Sequence, residues 1–361
     1  MKNIIRHIVW GMMSLLAIVS CDVHEVPTEQ KERVPFFLNL EFDTELPLHQ
    51  EIAYSRNVQE SKMLPLHDVR YIINAYRDLK VVNENLQPDT TFVFTSSEVY
   101  KLNRSLMLEL PEGTYTFNVW VDFVASGTQT DKYYDTSNFN EIILADKANH
   151  PGSNDYRDAF RGSVTASIVN PDYYTGSVQT GIDNQFRVEM KRPMGKYKFI
   201  STDLDVFLTR VAKTLVDQGI IDKVESKATY EELLQLVELD EYEVVFRYNI
   251  FMPCSFNMFT DKPADSWTGM SFKSLMQNDG SKEITLGYDY IFVNGTETTL
   301  SVSVEVYNSQ GELISSSKPI DVPVVRSKLT VVRGDFLTSK ASGGVAINPG
   351  FDGEDYNIEI K

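Results

Sequence analysis

Residues Tyr115–Val124 read YTFNVWVDFV, and Tyr115, Phe117, Val119, Val121 and Phe123 recur at every second position. Side chains alternate between the two faces of a strand, so this period predicts an extended segment with one apolar face. Pro111-Glu112-Gly113 just ahead of it has the chemistry of a turn. Outward along the chain the period returns: Phe186, Val188 and Met190; Tyr197 and Phe199 after Pro193 and Gly195; Ile284, Leu286, Tyr288, Tyr290 and Phe292; Leu300, Val302, Val304 and Val306. Further strands are predicted at Phe36–Phe42, Val69–Leu79, Thr91–Thr95, Tyr242–Phe251 and Lys328–Val332, and Asn308-Ser309-Gln310-Gly311 closes a hairpin into Leu313–Ile320. Short alternating strands broken by turns every roughly 8–12 residues predict antiparallel sandwiches, not a doubly wound sheet.

Two segments break the strand pattern. Leu204, Phe207, Leu208, Val211 and Leu215 have helical spacing, with Thr202 or Asp203 available as a cap, and Thr229 with Glu232 makes a capping box ahead of Leu233, Leu236 and Val237. The architecture expected is therefore all-β: two tandem β-sandwich domains, 35–180 and 181–361, the second carrying short helices inserted over about 203–240. Asn170-Pro171-Asp172, Gly176 and Gly181 place the boundary between Ser167 and Phe186. From Ala125 to Arg161 the text turns polar (SGTQTDKYYDTSN, KANHPGSNDYRD), which predicts a long surface excursion.

The chain has 361 residues, 42% of them apolar, enough to bury substantial cores and to exclude wholesale disorder. Acids outnumber bases 51 to 34, a formal charge of −17, so a nucleic-acid partner is not expected and an anionic membrane would repel the body of the protein. The N-terminus supplies a different route to a membrane. Lys2 and Arg6 precede the apolar run Ile8–Ser20 (IVWGMMSLLAIVS), which is too short to span a bilayer needing about 20 residues and reads as a secretory signal over residues 1–20. Its end, Ile18-Val19-Ser20-Cys21, resembles a bacterial lipobox, in which a peptidase cuts before the cysteine and the cysteine is then acylated. The alternative is an ordinary signal with an incidental cysteine. Against it, the one other cysteine is Cys254 in the apolar FMPCSF stretch, which reads as a small buried hydrophobe rather than a disulfide partner. Cleavage removes Lys2 and Arg6 and no acid, taking the net charge from −17 to −19. Residues 21–34 then form a polar tether, whose Asp22 and Glu25 resemble acidic signals for lipoprotein export to the cell surface.

Catalytic constellations are scarce. His7 leaves with the signal, and His24, His49, His67 and His150 all precede the second block. There is no HExxH, CxxC, P-loop or GxGxxG before a helix. Asp131, Asp135, Glu141 and Asp146 match no calcium-loop spacing. Paired carboxylates are expected by chance among 51 acids, and Trp120 and Trp267, which could stack on sugars, more often fill cores. The expectation is a protein without catalytic residues, metal or cofactor, not an enzyme.

Three stretches carry a family resemblance. Arg192-Pro193-Met194-Gly195-Lys196-Tyr197-Lys198-Phe199-Ile200-Ser201-Thr202-Asp203 resembles the opening of the second domain in fimbrillin-like lipoproteins of anaerobic gut and oral Gram-negative bacteria, the type V pilus superfamily. Met252-Pro253-Cys254-Ser255-Phe256-Asn257, with Thr260-Asp261-Lys262-Pro263 and Ser266-Trp267-Thr268-Gly269, is similar to the same group, as is Leu329–Thr338 with Gly343-Gly344 and Asn348–Gly353. The resemblance implies two transthyretin-like sandwiches and a structural or adhesive role as a fimbrial subunit, tip or anchor, lipid-anchored in the outer membrane at the cell surface. It implies other fimbrial subunits as partners, with a host or glycan ligand a further candidate. In such pili a trypsin-like protease removes an N-terminal strand after Arg or Lys and a neighbouring subunit fills the groove. Lys31, Arg33 and Arg56 are the candidate cuts here, with Arg56 in the polar AYSRNV stretch best placed; an anchor would keep both strand and lipid.

The rival class is a surface glycan-binding lipoprotein. An exposed aromatic platform of Tyr133, Tyr134 and Phe139 would favour it, and packing of that loop onto the sandwich would not. The last segment, 345–361, is a candidate assembly strand. Gly343-Gly344 supplies a hinge, Val345 and Ile347 lead in, and Tyr356, Ile358 and Ile360 alternate with Asn357, Glu359 and Lys361. The alternative is that this tail closes its own domain's sheet.

Overall fold

The computed structural model describes residues 32–43, 67–83, 86–170, 184–221, 228–278 and 281–339, together with the backbone of 345–347 and 355–360. The first half runs through β1 (Arg33–Phe42), β2 (His67–Arg77), β3 (Thr90–Ser96), β4 (Arg104–Pro111), β5 (Gly113–Ala125), β6 (Tyr134–Asp135), β7 (Ile142–Leu144), β8 (Phe160–Ile168) and β9 (Gln185–Met190). One sheet has the order β3-β2-β5-β8 and the other β4-β1-β9. The face predicted from the alternation at 115–124 is the one buried between them. Tyr115, Phe117, Val119, Val121 and Phe123 share a core with Val34, Phe36, Leu38 and Leu40 of β1 and with Val188 and Met190 of β9. Gly162 of β8 lies hard against β9, since a Cβ there would stand 2.6 Å from both Met190 Sδ and Val188 Cγ1.

The second half contains β10 (Met194–Ser201), α1 (Leu204–Asp217), α2 (Tyr230–Leu236), β11 (Glu243–Tyr248), β12 (Met252–Pro253), β13 (Ser255–Asn257), β14 (Lys262–Pro263), β15 (Ser266–Trp267), β16 (Ser271–Leu275), β17 (Ile284–Phe292), β18 (Glu297–Tyr307), β19 (Leu313–Ser316), β20 (Ile320–Val325), β21 (Leu329–Gly334), β22 (Val345–Ile347) and β23 (Asp355–Ile360). Its two main sheets have the orders β17-β10-β21-β23-β22 and β16-β11-β18-β19, with β20 also on β18. Their shared core is aromatic: Phe246 stacks on Phe272 at 4.7 Å and meets Phe199 edge-on at 5.4 Å. The fold is thus all-β and sandwich-like, as expected. Most pairings are antiparallel, and β1–β9, β10–β21 and β21–β23 are parallel. Parallel neighbours need long crossovers, so these pairings join strands far apart in sequence and leave no local signature.

Both predicted helices form. In α2, Thr229 Oγ1 accepts from the Glu232 amide at 3.3 Å and Glu232 Oε2 accepts from the Thr229 amide at 2.8 Å, the reciprocal capping box. Asp203 holds the N-cap position of α1, but its side chain makes no capping bond. It accepts instead from Ser201 Oγ at 2.5 Å and from the Thr338 amide and hydroxyl at 2.7 and 2.6 Å, tying the start of the helix to the segment after β21.

The polar excursion after β5 departs from expectation. It runs along the second half rather than over open surface: β7 pairs with β13 (Ile142 with Phe256, Ile143 with Ser255), and Tyr134, Phe139, Ile142 and Leu144 enter the second core. Trp120 and Ile72, on the far face of the first sheet, belong to that same core. This is why β2 is buried from His67 to Tyr76 with no exposed face at all.

Candidate functional site

Two features of the fold bear on function: the slot that holds β1 and the charged junction between the two cores. β1 is the central strand of its sheet, antiparallel to β4 over Arg33–Leu40 and parallel to β9 over Phe37–Phe42. Its inward side chains Val34, Phe36, Leu38 and Leu40 are all buried, and Phe36 packs 5.3 Å from Phe117 and 6.1 Å from Phe186. Its outward Phe37 stands opposite Met107, both exposed. A strand seated this way is held by backbone hydrogen bonds on two sides and by alternate side chains in one groove, the terms on which an added strand is recognised. Its removal would leave two unpaired edges and an apolar trough, an arrangement proteins otherwise avoid.

At the junction, the Arg157 guanidinium bonds to Asp289 of β17, and both side chains are 1% exposed. His150 Nε2 lies 2.6 Å from Asp289 Oδ2, Tyr248 donates its hydroxyl to the same oxygen at 2.5 Å, and Tyr197 and Tyr248 share a hydroxyl contact of 2.8 Å. Two more buried pairs flank it: Arg192 on Asp158, and Arg70 on Asp122, the latter through Nε at 2.9 Å and Nη2 at 2.6 Å. Burial pushes the Asp289 carboxyl up, but Arg157 and His150 outweigh it and hold the group below the usual carboxylate range. Burial, and then the Arg157 charge, hold His150 below its ordinary value, so it sits neutral in the fold. The side chains of His150 and Asp289 are 0% and 1% exposed, and the pair ties the excursion to β17.

A pH dependence follows. His150 faces Asp289 from β17, Tyr248 from β11, Phe272 from β16, and Arg157 and Asp146 from its own excursion. In the unfolded chain this histidine titrates near 6.5, and in the fold it titrates lower. Below about pH 6.5 the unfolded chain therefore takes up the proton first, and stability falls as pH falls toward the folded value. Melting followed from pH 7 to pH 5 should drop more steeply for the native chain than for His150→Gln. Superimposable slopes would contradict this assignment.

Of the residues singled out in the sequence, Cys21, Lys31 and Arg56 lie outside the described residues. Arg33 is the exposed first residue of β1. Cuts after Lys31 or Arg33 would leave Val34–Phe42 attached, whereas a cut after Arg56 separates the whole of β1 from the chain that follows. Val345 and Ile347 fall in β22, and Tyr356, Ile358 and Ile360 in β23, which lies parallel to β21 from Leu329–Asp355 to Arg333–Glu359. Tyr134 and Phe139 are buried, and Tyr133 is half-buried with its hydroxyl 2.8 Å from His67 Nε2, so these three form no exposed platform. Trp120 is fully buried and donates to Asp122 at 3.2 Å, and Trp267 lies half-buried beneath Lys147. Cys254 is buried, and burial pushes its thiol up to about 12. Among the described residues no His, Cys, Asp and Glu group has the arrangement of a metal site, and no helix is long and apolar enough to cross a membrane.

Sequence reasoning did not single out Arg157, Asp158, Arg192 and Asp289. The one available signal is a charge set inside apolar alternation, as Asp289 is in Tyr288–Phe292 and Asp122 in Trp120–Phe123. A charge in such a place must be paired if the strand is buried on both faces.

Comparison with known proteins gives a family and distant structural likenesses. The model of a family of unknown function (DUF6562) matches residues 31–361. No curated protein matches. Among solved structures the chain is similar to a candidate cell adhesion protein from Bacteroides eggerthii, with a TM-score of 0.40 and 12% identity over 92% of this chain and 95% of that one. It is similar to a candidate adhesin from Bacteroides ovatus, with a TM-score of 0.38 and 7% identity over 79% and 75%. It is also similar to the fimbrial anchor protein Mfa2 from Porphyromonas gingivalis, with a TM-score of 0.36 and 11% identity over 79% and 82%.

Proposed function

We propose, from the premise that the chain belongs to the family of unknown function DUF6562, that it is a lipid-anchored protein of the outer cell surface with a structural and adhesive role, serving as a fimbrial subunit, tip or anchor. The observation that carries this reading is the seating of β1 between β4 and β9. An N-terminal strand that fills an apolar slot, joined to the body through a stretch containing Arg56, has the form a strand-exchange subunit requires. In that role a cut after Arg56 vacates the slot and a strand from a neighbouring copy fills it, gaining the same backbone ladder and the same four apolar positions. In the anchor role β1 stays and Cys21 carries the acyl chains, each buried CH₂ worth about 0.8 kcal/mol of membrane affinity. The two sandwiches are proposed to divide after β9, later than the boundary near 180 expected from the sequence, because β9 pairs with β1 and its Val188 and Met190 lie in the first core, with the charged junction fixing one against the other.

The test is treatment of the purified chain with an arginine-specific protease. A polymerising subunit should be cut after Arg56, release β1 and assemble into oligomers that excess synthetic 33–42 peptide suppresses. An anchor should keep β1, and its Cys21→Ser variant should leave the membrane fraction. A chain that loses β1 and stays monomeric, with unchanged membrane partition of Cys21→Ser, would contradict both forms of the proposal.

The tail provides a further check. Because β23 pairs with β21 of its own chain, truncation after Gly344 is expected to lower the melting temperature. A truncated chain that melts as before and loses association with its partners would instead make 345–361 an assembly strand.

A further inference from the structure

A concavity of about 260 Å³ lies between the β2–β3 pair and the start of the excursion after β5. Its floor is polar and buried: Asn74 and Tyr76, on the face of β2 turned away from the first core, are 7% and 2% exposed. Asn74 Oδ1 accepts from Thr91 Oγ1 at 2.7 Å and its Nδ2 donates a long, 3.5 Å bond to the Tyr76 hydroxyl, whose own proton has no acceptor among the described residues. Burial pushes the Tyr76 phenol up to about 12, so that hydroxyl keeps its proton and is itself a donor. A buried donor without a well-placed acceptor is costly unless something entering the cavity supplies one. The rim carries three exposed carboxamides, Gln87, Gln129 and Asn138.

The lining also excludes charge. Arg70 is the one ionised residue among the described lining residues, and its charge is already matched by Asp122 and Asp131, with a further bond to the Gln129 carbonyl. An anionic or cationic ligand would find no free counter-charge there. A carboxamide presents a donor and an acceptor side by side, and so does a pair of neighbouring hydroxyls; the two match without any ionised group. Ile72, Val93 and Phe139 supply an apolar wall for the carbon face of such a ligand. The volume lies just below the roughly 300–1,000 Å³ of sites for drug-sized ligands, which suits a single six-membered ring. We propose that this pocket binds one uncharged sugar ring, such as a hexose unit of a glycan. The proposal goes beyond the assembly role and does not rest on it.

Saturation-transfer NMR on the purified full-length chain tests it, with glucose, galactose and mannose as probes and glucuronate and glucosamine as charged controls. Transfer to at least one neutral hexose and to neither control is expected. Binding should weaken on the order of tenfold in Gln87→Ala/Gln129→Ala, whose exposed side chains make no hydrogen bond to the described residues, and should be lost in Asn74→Ala. If Asn74→Ala fails to fold, the rim variant decides. No transfer from any of the three hexoses, equal transfer from the charged sugars, or unchanged affinity in the rim variant would overturn the assignment. The measurement is made on monomer, so its outcome is separate from that of the protease experiment.

Discussion

Arg157→Met should destabilise the chain by about 3–5 kcal/mol, because it strips the counter-charge from a carboxylate with no access to water. At a few degrees per kcal/mol this is a fall in melting temperature on the order of 5–10 °C. The methionine keeps most of the aliphatic volume, so the loss is electrostatic: Asp289 would retain His150, Tyr248 and the Tyr290 amide as partners but no fixed counter-charge. Replacing both members, as Arg157→Met/Asp289→Leu, should recover much of the loss, since a buried pair exchanged for apolar groups of similar volume is often close to neutral. A single variant that melts within a degree of the native chain would mean that the junction does not hold the excursion to the second core.

The second large effect belongs to β1. Phe36→Ala should cost about 3–5 kcal/mol, the usual range for truncating a fully buried phenylalanine, because its ring fills the space against Phe117 and Phe186. Phe37→Ala, one residue on but facing outward beside Met107, should change stability by about 0.5 kcal/mol or less. Chemical denaturation of the two variants checks the register directly. Equal losses would mean that β1 is not seated as described, and the slot it occupies could not be the basis of strand exchange.

These two sites differ in how far they can be read from sequence. The inward face of β5 is legible in Tyr115, Phe117, Val119, Val121 and Phe123, because a strand covered by one core must alternate. The α2 cap is legible for a similar reason: Thr229 and Glu232 satisfy each other's backbone within three residues. The far face of the same sheet is not legible. Trp120, Asp122 and Asn118 look like an outward mixture, yet all three are buried, Trp120 within the core of the other half of the chain. The excursion misleads in the same way. Its composition is that of a surface loop, and Tyr134, Ile142 and Leu144 are too few and unevenly spaced to announce that they dock on β13 and the second core. Nor could spacing reveal the sugar pocket, which is built from β2, the approach to β3 and the excursion, segments brought together only by the fold.

The central claim is that this protein belongs to a surface filament, and deletion of its gene followed by electron microscopy of the native cell surface tests it most directly. Filaments that are missing or altered in number or length, restored when the native chain is supplied, are the predicted result. An unchanged filament population in the deletion strain, with loss of sugar binding at the cell surface, would contradict the claim and make the protein a glycan-binding lipoprotein instead.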